Sequence, residues 1–253
     1  MELLRVQNLK KAFPKHKVAA VRGVDMSIFK GEILGLVGES GCGKTTLARS
    51  ILRLTDVQEG AVFYKGEDLL KIPYKKMQKV RKNLQIIFQD PYMSLDPAMK
   101  IGKVIEEVFL IHENISARER RSKATQLLET VGLGASYLNR LPSELSGGER
   151  QRVGIARSLA TEPEFIICDE PVSSLDISIQ AQILNLLMEI QKAKDLTYLF
   201  ISHDLSVVAS ICDRIAVMQS GRFVETGQCE EVFKDPQHEY TKRLLASASY
   251  ALQ

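Results

Sequence analysis

Three segments of the chain carry residue types whose spacing suits phosphate chemistry. Gly38-Glu39-Ser40-Gly41-Cys42-Gly43-Lys44-Thr45 fits the pattern G-x-x-x-x-G-K-[ST]. Glycines let a backbone wrap closely around an anion so that several N–H groups converge on it, and the positive end of the following helix points to the same place. Lys44 is then expected to reach the β- and γ-phosphates of a nucleotide, and the Thr45 hydroxyl to coordinate Mg²⁺. A second segment, Phe165-Ile166-Ile167-Cys168-Asp169-Glu170, reads as an apolar strand ending in two acids. Asp169 can hold Mg²⁺ and Glu170 can polarise an attacking water as general base. Standing alone, the pair would read as readily as a solvated strand end. A third, Leu145-Ser146-Gly147-Gly148-Glu149-Arg150-Gln151, opens a helix with a Ser and two glycines. That is either a second anion site or an ordinary helix cap.

The elements that must position these groups follow from periodicity. Leu3–Leu9, Val24–Phe29, Glu32–Val37, Leu84–Phe88, Phe165–Cys168, Thr197–Ile201 and Ile215–Met218 read as strands. A helix is expected over about Lys44–Leu54, so the Gly-rich segment has the strand-before, helix-after context it needs. Near-continuous apolar strands separated by helices predict an α/β fold with a mostly parallel sheet. The first strands can form a small antiparallel sheet beside it. From about Pro91 to Ala160 no strand is found. Helices are expected at Ile101–Ile111, at about Ser116–Val131 with Ser116 as cap and Glu119 three residues on, and at Gly148–Ala160. This is a helical insertion within an α/β domain.

Composition narrows the classes. The chain has 253 residues, a net charge of +3 and 45% apolar residues, the balance of an ordinary globular protein. That charge does not argue for nucleic acid, and without Trp a broad base-stacking surface is not expected. No stretch approaches the roughly 18 apolar residues of a membrane-spanning helix, and no secretory leader is read at the N-terminus. Cys42, Cys168, Cys212 and Cys229 have neither C-x-x-C spacing nor a His cluster nearby, so neither zinc nor disulfides are expected.

Gly38–Thr45, Gln89, Leu145–Gln151, Asp169-Glu170, Ser173-Ser174-Leu175-Asp176 and His203 together resemble the ATP-binding cassette (ABC) ATPases, in order and spacing, from about Leu3 to Gly227. The resemblance implies a P-loop core over 1–90 and 160–230, a helical subdomain over 91–159 and a helical tail over 231–253. It implies ATP and Mg²⁺ as ligands, and two cassettes stacked head to tail. The loop of one, with Thr46 added, would then face Ser146, Gly147, Gly148 and Glu149 of the other across a shared ATP. Asp176 would lie at that interface. Gln89 would reach Mg²⁺ and the water and would hinge the insertion, and His203 would hydrogen-bond the γ-phosphate. Phe13 matches the place of the adenine-stacking aromatic, with His16 a weaker alternative. Without the family, Gln89 is an unremarkable polar residue, His203 a structural histidine and Phe13 a strand-edge apolar residue.

Phe88-Gln89-Asp90-Pro91, Ser94-Leu95-Asp96-Pro97, Glu170–Asp176 and above all the tail Asp235-Pro236-Gln237-His238-Glu239-Tyr240-Thr241 resemble the bacterial importer subunits for dipeptides, oligopeptides and nickel. The tail also reads as a helix opened by Pro236 that packs on the sheet. The branch implies two separate permease subunits, a solute-binding protein and a related or identical second ATPase. It places the chain at the cytoplasmic face of the plasma membrane, with the insertion and Pro91–Pro97 coupling nucleotide occupancy to the permease. The cysteine-rich iron–sulfur segment of some members is absent, so no cluster is expected. An ABC-type ATPase acting on nucleic acid or ribosomes is the alternative. Those members usually pair two cassettes in one chain or split the motifs by a coiled coil, whereas Lys44 and Ser146 are 102 positions apart here.

Overall fold

A computed structural model describes residues 1–13, 18–90 and 95–250. His16 and Pro91–Ser94, including the start of the expected coupling segment, lie outside them. In chain order the elements are β1 (Glu2–Phe13), β2 (Val18–Phe29), β3 (Ile33–Val37), α1 (Lys44–Ile51), β4 (Glu59–Tyr64), β5 (Glu67–Asp68), α2 (Tyr74–Val80) and β6 (Leu84–Ile87). Then come α3 (Ile101–His112), α4 (Ala117–Thr130), α5 (Gly147–Leu159), β7 (Phe165–Asp169) and α6 (Ile177–Lys194). The chain closes with β8 (Thr197–Ile201), α7 (Leu205–Ile211), β9 (Arg214–Gln219), β10 (Arg222–Gln228), α8 (Cys229–Lys234) and α9 (Glu239–Tyr250).

The chain divides into two compact units. One comprises 1–81 and 195–253, the other 82–194. In the first, β2-β1-β4-β5 form an antiparallel sheet, as the N-terminal strands predict. The β4–β5 hairpin was not foreseen. In a second sheet of this unit β3 runs parallel to β8 on one side and to β9 on the other, and β10 pairs antiparallel with β9. All five residues of β3 and all five of β8 are buried. Such strands need apolar cover on both faces, which explains runs such as Ile33-Leu34-Gly35-Leu36-Val37. Gly35 has a packing cause, because a Cβ there would meet Val208 Cγ1 of α7 at 2.8 Å.

In the second unit β6 and β7 form a parallel pair, with Leu84 opposite Phe165 and Ile87 opposite Cys168. Between them in the chain the described residues contain helices and no strand, as expected from Pro91 to Ala160. Ser116 caps α4 in a full capping box with Glu119, where the sequence places it. The expected helix Gly148–Ala160 begins one residue earlier. Helix α6, 18 residues long, was not foreseen. The tail differs from expectation as well. Its helix starts at Glu239, not at Pro236. The preceding stretch is tied down instead by Glu225, whose carboxylate accepts from the Gln237 and His238 amides at 2.7 and 3.0 Å. Among the described residues no helix is long and apolar enough to cross a membrane.

Candidate functional site

In the first unit the Gly-rich segment leaves the buried end of β3 and enters α1. Three of its residues have positive φ: Gly38 at 151°, Gly41 at 78° and Gly43 at 115°. Two of these cannot be anything else. A Cβ on Gly38 would lie 2.2 Å from the Met218 carbonyl oxygen, and one on Gly43 would lie 2.1 Å from that of Ala20. At Gly41 the space is open and only the φ demands glycine. The loop is thus pressed against β2 and β9 by backbone contacts. It is braced further where the Gly221 amide donates to the Cys42 carbonyl at 2.9 Å.

Helix α1 begins with Gly43 as N-cap, with no side-chain cap and no acid in its first turn. Its positive end carries no charge or side chain of its own to neutralise it, which is the electrostatic requirement for an anion. Lys44 is buried at 5% exposure, and its Nζ donates to the Gly38 carbonyl at 2.6 Å and the Glu39 carbonyl at 3.0 Å. The ammonium is held over the loop by neutral acceptors, which an anionic phosphate would outcompete. Glu39, Ser40 and Gly41 are exposed; Thr45 and Thr46 are half-buried on the first turn of α1. Burial raises the Cys42 thiol above its ordinary value, and Lys44 pulls it the other way. Alkylation at neutral pH should therefore be slow.

His203 lies two residues after β8, beyond Ser202, and is exposed. It is presented by a turn fixed on both sides. The Asp204 amide donates to Ser202 Oγ at 2.9 Å, and Asp204 Oδ1 caps α7 by accepting from the Ser206 amide at 2.9 Å. Phe13 ends β1 half-buried, with the Lys11 ammonium 4.8 Å from its ring centroid. That cation makes the ring's surroundings electropositive.

In the second unit β7 delivers Asp169, 3% exposed, at its end. Glu170 follows with φ of 48°, a left-handed conformation costing about 1–3 kcal/mol for a residue with a side chain and typical of functional sites. The strain turns the chain sharply after the strand. Gln89 Nε2 donates to Glu170 Oε2 at 3.0 Å and to Ser173 Oγ at 3.3 Å. Ser173 Oγ in turn donates to the Glu170 carbonyl at 3.2 Å. Gln89 and Glu170, 81 positions apart, are thus brought together, and Ser173 joins them. Because the Gln89 amide nitrogen is spent on these partners, its carbonyl oxygen is the end left to meet a cation. Thr45 hydroxyl, Asp169 carboxylate and Gln89 carbonyl are all hard oxygen donors, the type that suits Mg²⁺.

Ser146 is exposed at the tip of α5, in a complete capping box. Its Oγ accepts from the Glu149 amide at 3.3 Å, and Glu149 Oε2 accepts from the Ser146 amide at 2.7 Å. The Tyr137 hydroxyl donates to the other carboxylate oxygen. That bond first, and the Ser146 amide next, hold the Glu149 carboxyl below the usual carboxylate range. Gly148 has a packing cause, since a Cβ there would meet Ile179 Cγ2 of α6 at 2.6 Å. Asp176, exposed, immediately precedes α6, and its carbonyl accepts the Ile179 and Gln180 amides at 2.9 Å. The contributions of Tyr137 and Ala20 carry no local signal in sequence, and Ser173, part of a segment the resemblance singles out, had no role assigned to it there.

Comparison with known proteins gives the following. The family model described as ABC transporter matches residues 21–173. The oligopeptide transport ATP-binding protein OppF of Bacillus subtilis (strain 168) is 50% identical over 250 residues, covering 97% of this chain and 82% of that protein. The dipeptide transport ATP-binding protein DppF of Escherichia coli (strain K12) is 44% identical over 253 residues, covering 97% and 76%. Among solved structures, the dimeric, ADP- and Pi-bound post-hydrolysis state of the ATP-binding cassette MJ0796 superposes with a TM-score of 0.81 at 27% identity, over 90% of this chain and 99% of that one.

Proposed function

The chain belongs to the ABC transporter family, and from that premise we propose that it drives peptide uptake through separate permease subunits of a bacterial importer. It binds and hydrolyses ATP. The observation that carries the peptide reading is the identity of 44–50% to oligopeptide and dipeptide transport subunits, which runs through 97% of the chain, tail included.

The residue roles follow from the chemistry above. The loop from Gly38 to Gly43, through amides other than that of Glu39 and with Ser40 and Cys42 among its residues, and Lys44, Thr45 and Thr46 take the phosphates, and Phe13 stacks on the base. Thr45, Asp169 and Gln89 hold Mg²⁺, which neutralises phosphate charge when bound. Glu170 takes the proton of the attacking water; Gln89 orients its carboxylate, and His203 donates to the γ-phosphate. Ser146, Gly147 and Gly148 meet the ATP held by a second ATPase subunit, identical or related, with Glu149 acting through the cap. Asp176 lies at that interface. The helical part, 91–159, supplies the docking surface for two permeases, and 1–90 with 160–230 the catalytic core. The chain thus works at the cytoplasmic face of the plasma membrane, peripherally, on cargo delivered by a solute-binding protein. Nucleic acid has no place in this reading.

The test is uptake in the source cells. Replacing Glu170 by Gln in the chromosomal copy should abolish uptake of a labelled dipeptide or oligopeptide while the purified protein still binds ATP. Unchanged peptide uptake together with lost nickel uptake would reassign the cargo. Loss of neither would remove the transport reading.

A further inference from the structure

The tail meets the phosphate loop at a hydrogen bond. Tyr240, in α9, is 4% exposed, and its hydroxyl oxygen accepts from the Glu39 amide at 3.1 Å. The Glu39 amide and the Gly38 carbonyl belong to the same peptide group. Lys44 Nζ donates to that carbonyl at 2.6 Å. One peptide plane is therefore clamped at both ends, by Lys44 on its oxygen and by Tyr240 on its nitrogen. The plane follows Gly38, the residue least able to hold an orientation by itself.

The two clamps differ in permanence. Lys44 is bound here to the Gly38 and Glu39 carbonyls, acceptors it must give up to reach a phosphate. Tyr240 has no such competing task, and its position is fixed independently of nucleotide. Its own amide donates to His238 Nδ1 at 3.1 Å, and the stretch before it is pinned to β10 by Glu225. Burial holds the Tyr240 phenol above its ordinary value, so it stays neutral at physiological pH.

We propose that Tyr240 is a positioning residue for the phosphate loop: its hydroxyl keeps the Gly38–Glu39 peptide from flipping when Lys44 leaves it for the nucleotide. The flip would turn the Gly38 oxygen toward the tail and the Glu39 N–H toward Lys44, rotating the start of the turn from which the later loop amides reach the phosphates. The tail thereby becomes part of the nucleotide site, although it follows the cassette's last motif, His203, by more than 30 positions. This inference rests on the phosphate reading of the loop.

The experiment compares the full chain with Tyr240→Phe, which keeps the ring, and with Lys44→Ala. Affinity for ATP is read by equilibrium titration, and Glu39 amide exchange by mass spectrometry with and without ATP. Tyr240→Phe should weaken ATP binding by about three- to tenfold, the worth of one hydrogen bond. It should also speed exchange at Glu39, an effect that loss of ring packing elsewhere would not produce. Wild-type affinity in Tyr240→Phe, or weakened binding with Glu39 exchange unchanged, overturns the proposal. If Lys44→Ala binds ATP normally, the phosphate reading of the loop fails instead.

Discussion

The phosphate loop and the Ser146–Gly148 helix tip are both glycine-bearing turns at helix N-termini, yet they are built to opposite specifications. In the loop the glycines are forced by backbone: positive φ throughout, and carbonyl oxygens at 2.1–2.2 Å from any Cβ at Gly38 and Gly43. No side chain caps α1. At the tip no glycine has positive φ, and Ser146 and Glu149 satisfy the first turn of α5 between them. The loop offers its helix no side-chain cap, as a phosphate receptor must. The tip is finished without a ligand, so it can add only its exposed Ser146 hydroxyl and the Gly147 and Gly148 backbone to a phosphate held elsewhere. The difference suits a primary receptor and a secondary contact that joins only on assembly.

Several substitutions would break or sharpen that contrast. The largest effect is expected at Gly43→Ala, where the new methyl has no room. ATP binding should disappear in an equilibrium titration, whereas Gly41→Ala, with open space around it, should pay only the left-handed cost of about 1 kcal/mol. Equal behaviour of the two would mean that backbone crowding does not shape the loop. Next, Ser146→Arg should lower the steady-state ATPase rate at least about a hundredfold, the scale of losing a transition-state contact, while leaving ATP affinity of the isolated chain intact. Weakened affinity would make the tip a primary site after all. The smallest effect concerns the cap. Glu149 is held below its ordinary value by Tyr137 and Ser146. A carboxyl depressed in the fold stabilises above its unfolded pKa, about 4.3, and that stability is lost as pH falls through the folded value. Thermal melts from pH 6 downward should therefore converge for wild type and Glu149→Gln. A constant gap would mean that the carboxylate charge does not hold the cap.

The contrast also explains what could be read in advance. The loop was legible because its chemistry is contiguous: strand, glycines, lysine and helix follow within 20 positions. The capping box at Ser116 was legible for the same reason, needing only a Glu three residues on, whereas at Ser146 the sequence offers a helix cap or an anion site and the structure adds the Glu149 half of the box. Helix α6 is absent from the sequence reading although its signal is present: Ile183, Leu186, Leu187 and Ile190 are buried at i, i+3, i+4 and i+7 in a helix preceded by Asp176. Its pairing with Gly148 is a packing fact between segments about 30 positions apart. Tyr240 was flagged as part of a tail motif, but its partner Glu39 is 201 positions away. No local pattern encodes a contact at that range.

The central claim is that a loop from one molecule and a tip from another complete one hydrolytic site. The direct test mixes two variants of this chain, each inactive alone: Lys44→Ala, with a defective loop, and Ser146→Arg, with a defective tip. At equal amounts half of the dimers are mixed and each has one intact site of two, so about a quarter of wild-type ATPase activity should return. A mixture as inactive as its components, at concentrations where wild type is active, would contradict the account.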